Sequence, residues 1–199
     1  MNDLVGMLMN QLGDDNLENL GNQAGLNKDQ TKTALQGALP VLLGAMAKNT
    51  ANKGGADALN GALDRDHDGS ILDNLGGFLS SGDQGMGGSI LKHVLGGQTS
   101  QIENGLSQKM GVSSSSISTI LKMAAPILLG MLGKQKKEQG LDAGGLGSLI
   151  NMASKMGGSN QSGGLDIGDL IGMVAGAQGG SSRGGGLIGM LGGLFGKRR

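Results

Sequence analysis

Two stretches of equal length decide the fold class of this chain. They read LGNQAGLNKDQTKTALQGALPVLLGAMAK at residues 20–48 and LSQKMGVSSSSISTILKMAAPILLGMLGK at residues 106–134. The two align without a gap at an offset of 86 residues, and ten of the 29 positions are identical. Among the identical positions are Gly25 and Gly111, and also Pro40 and Pro126. This agreement predicts an internal duplication.

Each copy has the pattern of a short helix, a glycine stop and a longer helix. Gly25 and Gly111 stand where a helix would end, because glycine adopts the positive φ angle of a helix C-terminus without strain. Ser113 is a suitable N-cap for the longer helix of the second copy. That helix is indicated by apolar residues that recur on one face at the α-helical period, namely Ile117, Ile120, Leu121, Ala124, Leu128, Met131 and Leu132.

The prolines interrupt this pattern in both copies. Proline lacks an N–H group and its ring crowds the carbonyl four residues before it, so we expect a kink or a new helix at Pro40 and at Pro126. The segments that follow, VLLGAMA at 41–47 and ILLGMLG at 127–133, are apolar on all sides. They should therefore be the most buried parts of the fold.

Weaker apolar patterns predict further helices outside the two aligned stretches. Three short helices are expected between the copies, separated by glycine-containing breaks at 54–55, 80–88 and 96–97, and one more is expected at 146–156. The predicted organisation is a duplicated helical domain at 1–155, with copy one at about 5–50, linker helices at about 56–97 and copy two at about 100–155. A flexible tail at 156–199 would follow, in which 16 of 44 residues are glycine.

The composition favours an all-α fold, an internally duplicated bundle of short helices. The aromatic residues are Phe78 and Phe195 alone, so the core must be built from aliphatic side chains and methionine. β-branched and aromatic residues, which suit strands, are scarce, whereas Leu, Met, Ala, Lys and Gln favour helices. The 42 glycines should keep the helices short, because each glycine weakens a helix.

Charge and residue usage narrow the function classes. Sixteen basic residues balance sixteen acidic ones, so no overall field attracts nucleic acid or an anionic membrane. Without cysteine there is no disulfide, thiolate nucleophile or cysteine-bound zinc. Only His67 and His93 are available as histidine bases, and no nucleophile, base and orienting group converge in the sequence. We therefore expect a protein that is not an enzyme, with no catalytic residue and no cofactor.

The location of the protein is predicted from its first residues and its apolar runs. Asp3 stands where a signal peptide would carry Lys or Arg, and Asn10 and Gln11 interrupt the apolar run. No uninterrupted apolar stretch approaches the roughly 18 to 20 residues that span a bilayer. The expected location is the cytoplasm.

Three features together carry a family resemblance. They are the paired G-L/V-x6-T…A-x-P-x-L-L-G pattern, the linker DRDHDGSILDNL at 64–75 and the ending LIGMLGGLFGK at 187–197. The chain resembles the YidB-like family of bacterial proteins, domain of unknown function 937, over roughly residues 1–155. The resemblance implies an all-helical fold of small helical repeats. It implies no activity and no functional residues.

The linker carries the one candidate metal site. It has acidic side chains at positions 1, 3 and 5 and glycine at position 6 of a calcium-binding loop, namely Asp64, Asp66, Asp68 and Gly69. Position 12, where a bidentate glutamate is needed, is Leu75. The alternative is a helix start with Ser70 as N-cap and Asp73 completing a capping-box pair. The helix start is the preferred interpretation, and a weak calcium site is the alternative.

Two other segments suggest binding functions. Residues 106–122 resemble the first two helices of a helix-turn-helix, but no basic residue lies between Val112 and Leu121 to neutralise phosphates, so DNA binding is a minor alternative. The last stretch, 186–199, combines an apolar run with three terminal cations and could contact a membrane transiently, self-associate or dock on the bundle. The favoured function is a structural or protein-interaction module, with an unknown protein partner or self-association.

Overall fold

The computed structural model describes the backbone of residues 4–158 and the side chains of residues 6–155. Within this range the chain forms helices and no strand, so the predicted all-α class is confirmed. Two 3-10 helices, Ser70–Asn74 and Gly96–Gln98, lie among the α-helices. The α-helices are α1 (Leu4–Ala24), α2 (Lys28–Thr50), α3 (Lys53–Arg65), α4 (Leu75–Ser81), α5 (Gly85–Leu95), α6 (Thr99–Met110), α7 (Ser114–Gln139) and α8 (Ala143–Gly158). Helix α1 is kinked at Gly13, whose φ of 66° is not helical.

Helix α7 is the centre of the core. It packs against α1, α2, α3, α5 and α6, and every residue at 123–133 is buried. Among the described residues it is the one helix that by length and composition could span a membrane, which the sequence did not lead us to expect. However, 83% of its apolar window is buried inside the protein, as is usual for the central helix of a helical core.

The matched positions of the two copies share their local conformation. Gly25 and Gly111 end their helices with φ angles of 67° and 66°. Asn27 and Ser113, which also correspond at the offset of 86, each cap the next helix by accepting a hydrogen bond from the backbone N–H three residues later. These local agreements support the duplication. The duplication itself, and superposition of the whole copies, stay predictions.

Of the two effects expected at the prolines, a kink or a new helix, the structure excludes the new helix. Helices α2 and α7 continue through Pro40 and Pro126, so no new helix begins at either residue. The missing N–H of proline removes one hydrogen bond from a helix of more than 20 residues. The helix continues because buried residues on both sides of the proline hold it in place. A kink without a break stays a prediction.

The predicted burial after the prolines holds for one copy. All of 127–133 is buried, but in 41–47 only three residues are. Val41, Gly44 and Ala45 are partly exposed and share one side of α2 with exposed Lys48, at spacings of three, four and seven residues. Neighbouring helices enclose α7, whereas this side of α2 is left partly uncovered.

The helices predicted outside the two aligned stretches are present, with different bounds. Helices α3, α4 and α5 lie between the copies, and α8 is longer than the expected 146–156. The predicted break at 54–55 is wrong, because α3 already begins at Lys53 and Asn52 caps it by accepting from Gly55 N at 2.7 Å. Position 55 requires glycine for this close approach of α3 to the end of α2, because a Cβ there would overlap the carbonyl oxygen of Asn49. The domain division stays a prediction. Of the predicted tail at 156–199, the first three residues belong to α8, and 159–199 lies outside the described residues.

Candidate functional site

The acidic linker lies against α7. Asp68 Oδ2 is 2.9 Å from Lys137 Nζ, and Asp64 forms an ion pair with Lys136. Asp66 ends α3 and lies at the edge of a groove described below. Within residues 4–158 no three His, Cys, Asp or Glu side chains form a group that could hold a metal ion. Two of the three candidate calcium ligands are thus engaged by lysine side chains.

The cap at this linker differs from the expected one. Ser70 begins the 3-10 helix without capping it, so the prediction of Ser70 as N-cap is wrong. Instead, Asp68 Oδ1 accepts a hydrogen bond from the backbone N–H of Ser70 at 3.1 Å. Lys137 first, and this hydrogen bond second, lower the pKa of Asp68 to about 2. The following α4 is capped by Asn74, whose Oδ1 accepts from Gly77 N at 3.1 Å.

Two glycines of α7 let the linker approach this closely. A Cβ on Gly133 would overlap the carbonyl oxygen of His67, and a Cβ on Gly130 would overlap the side chain of Ile71. Gly69 turns the chain between these contacts with a φ of 103°, which favours glycine. The acidic residues and the glycine of the linker at 64–69 are therefore explained by the packing of the linker on α7.

The segment resembling a helix-turn-helix is built into the core. Helix α6, the turn at Gly111 and the start of α7 have the expected order, but Ser116, Ile117 and Ile120 are buried. A helix that reads DNA must present its face to the major groove. The start of α7 thus buries one face in the core and leaves Ser114 and Ser115 exposed on the other, where no basic residue between Val112 and Leu121 could neutralise phosphates.

A groove at the surface joins α2, α3 and α5. Its volume is about 840 Å³, within the usual range for ligand-binding clefts. The end of α2 contributes Met46 and Thr50, and Leu129 of α7 also lines it. Its apolar lining also includes Ala58, Leu59, Ala62, Met86, Ile90 and Val94. We call this cleft the histidine groove, since both histidines of the protein line it.

Polar groups are placed around the apolar lining. Asn49 Nδ2 donates to the carbonyl oxygen of Val94 at 3.0 Å and so ties α2 to the end of α5. His93 Nδ1 lies 2.9 Å from the carbonyl oxygen of Ser89 in its own helix. Burial lowers the pKa of His67, and nearby Asp66 partly offsets this effect. At neutral pH His67 therefore contributes a neutral ring to the groove.

One side chain at the groove is unusually exposed for its type. Met86 is 45% exposed, and among the described residues only Met152 on α8 is a more exposed large apolar side chain. Methionine is flexible and polarisable, and it suits surfaces that accept different partners. Met86 thus gives the groove an accessible apolar edge.

Sequence reasoning missed the histidine groove. In the sequence His67 lies within the charged stretch DRDHDG at 64–69, yet the structure half-buries it. The lining comes from segments that lie far apart in the chain, around residues 46–67, 86–94 and 129. An available signal was the apolar group of Ala58, Leu59 and Ala62, which widens the apolar stripe of α3 beyond its buried residues Ala56 and Leu63.

The fold defines the class as an all-α protein built around one buried central helix. The chain belongs to the family of bacterial proteins of unknown function called domain of unknown function 937, whose model matches residues 6–135. The expected resemblance is thereby confirmed. No curated protein and no solved structure matches the chain. The matched range contains every residue that lines the histidine groove and ends before α8.

Proposed function

We propose that the protein is a cytoplasmic, non-enzymatic interaction module whose histidine groove binds an amphipathic helix of a protein partner. The observation that carries the proposal is an accessible cleft of about 840 Å³ with a mainly apolar lining. Apolar grooves between helices are a recurrent site for an incoming helix, which inserts residues at spacings of three, four and seven.

The shape and polarity of the groove favour a helix as the ligand. Its walls are helices, and its polar groups include the side chains of Asn49, Asn52 and Asp66. Asn49 and Asp66 are exposed, so charged residues on the outer face of a bound helix can stay hydrated beside them. Apolar anchors can fill the space over Leu59 and Ile90.

The polar groups of the groove support a non-enzymatic role. The two hydroxyl groups that line it belong to Thr50 and Ser89, and each donates to a backbone carbonyl of its own helix. A hydroxyl nucleophile would instead need a hydrogen bond to a base such as His67 or His93. The described part of the groove contains no such pair.

The other two functions considered have less support. Binding of calcium would have to displace Lys136 from Asp64 and Lys137 from Asp68. Binding of DNA through residues 106–122 would have to proceed without a basic residue between Val112 and Leu121 to neutralise phosphates. We therefore keep neither of them as the proposed function.

A labelled synthetic amphipathic peptide of about four helical turns tests the proposal by fluorescence anisotropy. We expect saturable binding that Ala58→Glu weakens at least about tenfold, because the carboxylate would lie in the apolar interface. Gln101→Glu is the control that adds the same charge elsewhere, since Gln101 of α6 is exposed and does not line the groove. Absence of binding, or equal weakening by both changes, would overturn the proposal.

A further inference from the structure

We infer that the histidine groove is occupied, when no partner is bound, by the chain's own segment LDIGDLIGMV at residues 165–174. This inference rests on the proposed function and names a ligand for the same site. Ile167, Leu170, Ile171 and Val174 recur at spacings of three, four and seven, the anchor pattern of a helix bound in a groove. The segment would compete with a partner helix for the apolar lining.

The position of α8 brings this part of the chain within reach. A Cβ on Gly147, near the start of α8, would lie 3.8 Å from the carbonyl oxygen of Thr50, which lines the groove. From Gly147 to Gly158 the helix rises about 16 Å, at about 1.5 Å per residue. The eight residues 159–166 can span about 26 Å at about 3.3 Å each, so Ile167 can return to the groove.

A second apolar segment, at 187–195, has similar spacing but a longer connection. Twenty-eight residues separate it from Gly158, against eight for Ile167. Effective concentration is highest when the connection matches the distance spanned and falls as the connection lengthens. The shorter connection therefore favours residues 165–174 as the occupant, and the second segment provides a control.

Disulfide trapping in the full-length chain tests the contact directly. Because the natural chain has no cysteine, an introduced pair reports one contact. We expect Met86→Cys with Val174→Cys to form an intramolecular disulfide faster than Met152→Cys with Val174→Cys. Met152 is 61% exposed on α8 and is nearer to Val174 in sequence, so random encounters favour the control pair. A faster control pair, or a disulfide-linked dimer as the main product, would overturn the inference.

The peptide assay separates failure of this inference from failure of the proposed function. Ile171→Asp should release the groove and tighten binding of the synthetic amphipathic peptide by about tenfold, as expected when an intramolecular competitor is removed. Leu191→Asp, the matched control in the second segment, should leave the affinity unchanged. Equal binding to the unmodified chain and to Ile171→Asp would refute the inference and leave the proposed function standing. If the peptide bound no variant, both would fail.

Discussion

The contact between α5 and α7 gives a sharp test of the packing that builds the histidine groove. Gly87 and Gly88 are adjacent residues of α5, yet their surroundings differ completely. A Cβ on Gly87 would overlap the carbonyl oxygen of Lys122, closer than the 3.0 Å that real Cβ atoms keep. A Cβ on Gly88 would meet nothing within 4 Å. Gly87→Ala should therefore destabilise the fold and Gly88→Ala should not.

The expected change in the free energy of unfolding follows from two opposing effects. An extra methyl group in a filled interface costs about 1–3 kcal/mol, and the upper end applies because the obstacle is the backbone of α7. Replacing a helical glycine by alanine returns about 0.5–1 kcal/mol. We expect Gly87→Ala to lower the free energy of unfolding by about 2 kcal/mol and Gly88→Ala to raise it by about 0.5–1 kcal/mol.

Urea denaturation followed by far-ultraviolet circular dichroism measures both changes, since the chain has too few aromatic residues for fluorescence. The melting temperatures of the two variants should differ by about 5–10 °C. Gly87→Ala should also weaken binding of the synthetic peptide, because α5 is one wall of the groove. Equal stability of the two variants would refute the close packing of α5 on α7.

Other changes test the linker and its caps. Gly133→Ala should cost about 1–2 kcal/mol in thermal melts, because the new methyl group overlaps the carbonyl of His67. The lowered pKa of Asp68 stabilises the fold above its unfolded value of 3.8, and this contribution is lost as the pH falls through about 2. Asp68→Asn should therefore be less stable than the unmodified protein at neutral pH and equally stable near pH 2 in urea titrations. Asn74→Ala should cost about 0.5–2 kcal/mol and Ser70→Ala little, because only Asn74 caps a helix through its side chain. Millimolar calcium should leave the melting temperature unchanged, and a rise that Asp68→Asn abolishes would contradict the ion-pair interpretation.

The parts of the fold that depend on local periodicity were predictable from the sequence. The spacing that begins at Ile117 places α7 correctly, and Gly111 ends the preceding helix with the expected positive φ. Both features depend on residues within a few positions of one another. The sequence also shows Pro40 and Pro126, but it does not show that packing carries both helices through them.

Features that depend on contacts between distant segments were not predictable. The sequence of the acidic linker reveals possible oxygen ligands. It does not reveal that lysines of α7 form ion pairs with Asp64 and Asp68. Likewise Gly87 appears as one glycine among many until α7 is placed against it. The histidine groove combines three helices with Leu129 of a fourth, so no single stretch of sequence reveals it.

The central claim, that the histidine groove binds an amphipathic helix, is tested most directly by methionine-methyl NMR with a spin-labelled form of the synthetic peptide. Met46 and Met86 line the groove, whereas Met152 is exposed on α8 and does not line it. We expect the peptide to broaden the Met46 and Met86 methyl signals more strongly than the Met152 signal, and Ala58→Glu should abolish the broadening. Broadening of Met152 alone, equal broadening of all three signals, or no broadening at saturating peptide would contradict the claim.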